Sequence, residues 1–102
     1  MRIVPISIIV PTFNRPLRLE NLIKRLSCQT VYPSELIIID NSTFGDAKNV
    51  LDRLSGETHF ILRYLRQKRK GPTYGMNMGI NRAKCPILAF LDDDCLPDFE
   101  WL

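Results

Sequence analysis

Residues 6–16 read ISIIVPTFNRP. The run ISIIV at 6–10 is nearly continuous and β-branched, the pattern of a strand covered on both faces. PTFNR at 11–15 follows as a loop, and Pro16 suits the first position of a helix, where its missing N–H is no loss. Leu19, Leu22, Ile23 and Leu26 then recur at helical spacing with Lys24 and Arg25 on the outer face, so an amphipathic helix runs to about Cys28. A doubly covered strand feeding an amphipathic helix is the first half of a βαβ unit, and it predicts a parallel sheet layered with helices.

The rest of the chain repeats that alternation. ELIIID at 35–40 is a second buried strand ending in an acid. Thr43 with Asp46 resembles a capping box. Ala47, Val50, Leu51 and Leu54 give a second helix, which Gly56 closes. FILRYL at 60–65 alternates more strongly and belongs nearer a sheet edge. After the basic loop RQKRKGP at 66–72, Met76, Ile80 and Ala83 mark a third helix, weakened by Gly75 and Gly79. PILAFL at 86–91 is the fourth strand. The order βαβαβαβ predicts one α/β domain over residues 1–102, with a parallel sheet and right-handed crossovers. There is no internal repeat, low-complexity tract or linker.

Composition excludes several classes. With 102 residues, 45% hydrophobic and 25% charged, the chain can bury one modest core and is unlike a disordered protein. A net charge of +3 is too small to point to nucleic acid. No apolar run nears the roughly 18 residues of a membrane span, and the start MRIVPISIIVPTF lacks the cleavage pattern of a signal peptide. Cys28, Cys85 and Cys95 are odd in number and lack CxxC spacing, against a zinc site or a disulfide framework and in keeping with a reducing cytoplasm. The single histidine, His59, sits in a polar turn and reads as surface.

In open parallel sheets, ligands bind beyond the carboxyl ends of the strands. The residues there are PTFNRP, DNST, RQKRKGPTYG and DDDCLPD. Neither the glycine-rich dinucleotide fingerprint nor a P-loop occurs, so any phosphate must be held by cations. Strand alternation would point Asp92 and Asp94 one way and Asp93 the other. Two carboxylates about 6 Å apart repel by about 2–3 kcal/mol at an effective dielectric near 20. A hard divalent ion shared with substrate phosphates would offset that cost; a solvated loop cap is the plainer reading. Asp40, Asn41 and Ser42 could meet a ribose or a base edge, and equally form a simple turn. Arg63, Arg66, Lys68, Arg69 and Lys70 could bind RNA, stay solvated, or wall a diphosphate site, the first being the weakest reading.

Taken together, SIIVPTFNRP, ELIIIDNST, GPTYGMNMGINRA and ILAFLDDDCLPDFEWL resemble the N-terminal half of a GT-A glycosyltransferase of the inverting family 2. The resemblance implies a Rossmann-like fold and transfer of a sugar from a UDP-, dTDP- or GDP-sugar to a glycan or lipid-linked acceptor. It implies that Pro11, Thr12 and Phe13 line the nucleotide pocket with Asn14 and Arg15 at its rim. Asp40 and Asn41 would contact the base, and Gly71 and Asn77 would lie near the sugar diphosphate. Asp92, Asp93 and Asp94 match the DxD region, with Asp92 and Asp93 toward the nucleotide and Asp92 and Asp94 on Mg²⁺ or Mn²⁺. Asn41 stands where many members carry a second Asp, which bears on base identity.

The family's general base is a carboxylate in the second half of the domain, so no catalytic base is expected here. Ending at Trp101–Leu102, in what reads as an unfinished apolar helix, the chain is expected to be a fragment with an open sheet edge that invites a homodimer. A cytoplasmic site, at the inner face of the membrane through peripheral association, fits such acceptors. Three rivals stay open: a sugar-phosphate nucleotidyltransferase, which should carry a glycine-rich basic loop after its first strand; a non-catalytic interaction module of glycosyltransferase ancestry; and a two-metal nuclease or phosphatase, for which Asp40 alone is thin support.

Overall fold

The computed structural model describes residues 2–98, 101 and 102. Its elements are β1 (Ile3–Thr12), α1 (Pro16–Leu26), β2 (Tyr32–Asp40), α2 (Ala47–Leu54), β3 (Ile61–Arg66), α3 (Pro72–Arg82) and β4 (Ile87–Phe90). The helix start expected at the chain's end falls partly on residues 99 and 100, outside the described residues. All strand pairs are parallel, in the order β3-β2-β1-β4. As its alternation predicts, β3 is an edge strand.

Side-chain alternation on the two central strands builds a core on each face. Ile8, Val10, Leu36 and Ile38 meet the apolar faces of α1 and α2. Ile9, Ile37 and Ile39 meet the opposite face, where Met78 and Ala83 pack. Residues 8–10 and 36–39 are fully buried, which is why both runs read as continuous apolar stretches rather than alternating ones. With α1 and α2 on one face, the chain steps β1 to β2 to β3 in one direction. It then crosses on the α3 face to reach β4 on the far side of β1. The sheet therefore reverses its winding between β1 and β4, and the carboxyl ends of those strands form the crevice where such sheets bind ligands.

Three local expectations are corrected. Asp46 caps α2 without a side-chain hydrogen bond, so the Thr43–Asp46 capping box does not form. Thr43 instead pairs with Asn14, its N–H donating to Asn14 Oδ1 at 3.1 Å. Gly56 follows the Ser55 cap but is not among the left-handed glycines, Gly45 and Gly71. On α3, the row facing the sheet is Gly75 and Gly79 with Met78 beside them, whereas Ile80 is 44% exposed. The glycines that weaken this helix by propensity let it lie close on β1 and β2.

A Cβ added at Gly79 would meet Ile9 Cγ2 at 2.5 Å, and one at Gly75 would meet Ile39 Cγ2 at 3.1 Å. Gly79→Ala is therefore expected to lower stability by about 1–3 kcal/mol, overpacking outweighing the roughly 1 kcal/mol of helix propensity gained. Gly75→Ala should be much milder. Chemical denaturation checks this, and equal midpoints for the two variants would contradict it.

At the amino ends of the strands, Glu35 is buried. It accepts hydrogen bonds from Ser7 Oγ at 2.6 Å, Lys84 N at 2.7 Å and Arg63 Nη1 at 2.8 Å. Burial alone would raise its pKa, but these partners together hold it below the usual carboxylate value. This network fastens the strands at the end of the sheet away from the crevice, and it accounts for Arg63, one of the five cations in the basic run.

Candidate functional site

A cleft of about 590 Å³ opens at the carboxyl ends of β1 and β4, within the size range of small-molecule sites. Of the residues singled out from sequence, Pro11, Thr12, Phe13, Arg15, Asn41, Gly71, Asp92, Asp93 and Asp94 line it. Asn14, Asp40 and Asn77 do not. Lys70 and Gly75 also line it; Lys70 had been legible only as one member of the basic run.

The aspartates divide by environment. β4 ends at Phe90, so strand alternation does not extend to them. Instead Cys95 N–H donates to the Asp92 carbonyl at 3.1 Å and closes a turn. Asp93 is turned inward, 4% exposed, accepting from Thr12 Oγ1 at 2.8 Å and Arg15 Nη1 at 3.2 Å. Asp92 and Asp94 remain exposed on the cleft. Part of the expected like-charge repulsion is thus met within the chain: Arg15 pairs with Asp93, and Arg18 Nη1 lies 3.8 Å from Asp94.

Asp40 is 0% exposed. Its Oδ1 accepts from the Ser42 N–H at 2.8 Å, and its Oδ2 accepts from Tyr64 Oη at 2.6 Å and Arg66 Nη1 at 3.3 Å. Burial favours the neutral acid, yet the Ser42 and Tyr64 hydrogen bonds and the Arg66 charge outweigh it and keep the pKa below the usual value. The Tyr64 hydroxyl, desolvated and beside that carboxylate, is pushed up to about 12. Asp40 therefore holds the β2 loop and the end of β3 in place. Asn14, at φ 53°, does the same for the β1 loop: its N–H donates to Ser42 Oγ at 2.8 Å. The left-handed region suits asparagine better than most residues. Asn77 lies exposed on α3, away from the cleft.

The basic loop forms the cleft's other wall. Asn41 Nδ2 donates to the carbonyls of Gln67 at 2.5 Å and Arg69 at 2.8 Å. Lys70 Nζ lies 5.0 Å from the centre of the Phe13 ring, within cation–π range, and 3.4 Å from the Asn41 carbonyl. Gly71 takes φ 112°, a conformation open to glycine, as it turns the loop into the start of α3. The cleft thus brings two exposed carboxylates, Asp92 and Asp94, together with a lysine, an arginine and a helix amino end. That is the arrangement a polyvalent anion and a cation could share.

A family model described as Glycosyl transferase family 2 matches residues 7–102. The chain is 38% identical over 90 residues to the GalNAc(5)-diNAcBac-PP-undecaprenol beta-1,3-glucosyltransferase of Campylobacter jejuni, covering 87% of this chain and 29% of that protein. It is 36% identical over 102 residues to the hyaluronan synthase of Pasteurella multocida, covering 97% of this chain and 10% of that one. The mannosyltransferase PcManGT from Pyrobaculum calidifontis, solved in complex with GDP-Man and Mn²⁺, matches with TM-score 0.78 at 27% identity, over 91% of this chain and 28% of its own. S. aureus TarS 1-349 in complex with UDP matches with TM-score 0.80 over 98% of this chain and 29% of its own; at 23% identity it speaks to the fold alone. The chain spans less than a third of each of these proteins. The sheet and its flanking helices have the Rossmann-like architecture of GT-A glycosyltransferases. Among the described residues, no helix is long and apolar enough to cross a membrane.

Proposed function

The chain belongs to glycosyl transferase family 2, and on that premise we propose that residues 1–102 are the donor-binding half of a metal-dependent, inverting glycosyltransferase. The observation that carries this reading is the cleft at the reversal between β1 and β4, where Asp92 and Asp94 stay exposed while every other named carboxylate nearby is internally satisfied. The name of the Campylobacter relative specifies an undecaprenol-linked substrate and that of the Pasteurella relative a glycan product. A lipid-linked or glycan acceptor is accordingly proposed.

In this reading Phe13 and Pro11 flank the nucleoside, and Lys70, Arg15 and the amino end of α3 face its phosphates. The donor set fits a hard divalent ion, Mg²⁺ or Mn²⁺, because two exposed carboxylates share one turn at the cleft. Such an ion supplies Lewis-acid neutralisation of the charge that develops on the departing diphosphate. Thr12 and Arg15 hold Asp93 inward and so present Asp92 and Asp94 outward. Among the described residues, no carboxylate outside that turn lines the cleft, so deprotonation of the acceptor is assigned to no residue of this stretch.

Asn41 bears on the base. Both protons of its amide are engaged by backbone carbonyls, leaving Oδ1 as the group it can offer a ligand. A lone acceptor suits the ring N–H of uracil, thymine or guanine, where cytosine and adenine present a lone pair. UDP, dTDP and GDP should bind at least about tenfold tighter than CDP and ADP, a difference of about 1.4 kcal/mol. Calorimetric titration of the five nucleotides with Mn²⁺ tests this. Equal affinity for CDP and UDP would overturn the role of Asn41, and no binding of any nucleotide to the folded chain would overturn the donor-site reading.

A further inference from the structure

Beyond the two aspartates, and resting on the metal reading above, we infer that Cys95 is a third, sulfur ligand to the divalent ion and biases this site away from Mg²⁺ toward Mn²⁺ and softer ions. One ligand atom from each of Asp92, Asp94 and Cys95 lies within 4.8 Å of the others. Two ligands on one ion, at bond lengths of about 2.0–2.5 Å, stand at most about 5 Å apart. The three therefore need only small side-chain adjustments to meet one cation.

The turn explains why they converge. The hydrogen bond from Cys95 N–H to the Asp92 carbonyl folds the chain back, so the fourth residue of the turn returns beside the first. The cysteine is half-buried and packs against the core beneath α1 and α2, which fixes where its sulfur can reach. It borders the groove shared with Asp92, Met76 and Phe90, and on its other side the one shared with Asp94 and Arg18. Cys95 would hold the ion together with Asp92 and Asp94, its sulfur lying within 4.8 Å of a carboxylate oxygen of each. The Arg18 contact to Asp94, exposed and 3.8 Å long, would give way to the cation.

Mg²⁺ demands near-octahedral oxygen ligands and dehydrates reluctantly, whereas a thiolate favours softer ions and those later in the first-row series. With two oxygens and one sulfur, the site should prefer Co²⁺ to Mn²⁺ and Mn²⁺ to Mg²⁺, by more than two carboxylates alone would give. Cys28 and Cys85 are free thiols outside this group and serve as internal controls.

The test is a Co²⁺ titration of the chain with UDP present, followed by near-ultraviolet absorbance, beside Mn²⁺ binding measured by electron paramagnetic resonance. A sulfur-to-cobalt charge-transfer band is expected in the parent protein and in Cys28→Ser and Cys85→Ser. It should be absent from Cys95→Ser and Cys95→Ala. The Mn²⁺-over-Mg²⁺ affinity ratio should fall about tenfold in both Cys95 variants. If Mn²⁺ binds through Asp92 and Asp94 with no sulfur band, or the band survives loss of Cys95, the sulfur ligand is wrong and the aspartate site stands. If the folded parent binds neither ion, both fall.

Discussion

Replacing Asp92 and Asp94 together by asparagine is expected to weaken Mn²⁺-dependent binding of a nucleoside diphosphate by about 100-fold or more, equivalent to about 2.7 kcal/mol. The fold should stay within about 1 kcal/mol of the parent. Both carboxylates are exposed on the cleft, and the ion pair in which Asp94 takes part, with Arg18, is open to solvent and contributes little to stability. The amides keep the shape but remove both negative charges that would hold the cation. Asp93→Asn should behave the other way. That carboxylate is 4% exposed and accepts from Thr12 and Arg15, so its loss falls first on stability. Calorimetry of the folded variants with Mn²⁺ and with EDTA separates the cases. Undiminished Mn²⁺-dependent binding by the double variant would contradict the assignment.

The largest effect on stability is expected at Asp40. Removing its carboxylate in Asp40→Ala leaves the Ser42 N–H and the Tyr64 hydroxyl without their acceptor and the Arg66 guanidinium without its counter-charge, keeping only the Thr43 carbonyl. Loss of one member of so buried a group should cost about 3–4 kcal/mol, a large share of the 5–15 kcal/mol typical of a domain. The pH dependence has a definite sign. The folded pKa of Asp40 is depressed, so its contribution is present above the unfolded value near about 3.9 and is lost as pH falls through the folded value. Glu35, also depressed, adds in the same direction. Denaturation midpoints of parent and Asp40→Ala should therefore converge in acid and stand farthest apart near neutrality. A difference below about 1 kcal/mol at pH 7 would mean that Asp40 is not the anchor its contacts describe.

Much of this fold could be read from local pattern because its central strands are covered on both faces. Residues 36–39 can only be core, and Leu19, Leu22, Ile23 and Leu26 can only face it. α3 resisted the same reading. Its sheet-facing row is built on two glycines, and an apolar-periodicity rule picks out Met76 and Ile80 instead. At the site, the sequence marked which loops converge but not which polar groups were already engaged. Asp40 looked free because its sealing partners, Tyr64 and Arg66, come from a different strand. Asn41 looked like a base contact with all its valences open, though the loop that claims two of them is made by Gln67 and Arg69. Lys70 was one cation among five until the fold set it over Phe13. Residue identity is local information, whereas hydrogen-bond occupancy is tertiary, and the inward and outward roles of Asp93 and its neighbours depend on the second kind.

The most direct measurement of the central claim is paramagnetic broadening of amide resonances in the ¹⁵N-labelled chain by trace Mn²⁺ with UDP. Broadening should centre on Asp92–Cys95 and reach Thr12, Phe13 and Gly71, while Glu35, Ile61 and Lys84 at the opposite end of the sheet remain sharp. Broadening that is absent, or centred on surface carboxylates such as Asp52 and Glu57, would contradict a metal-dependent donor site between β1 and β4.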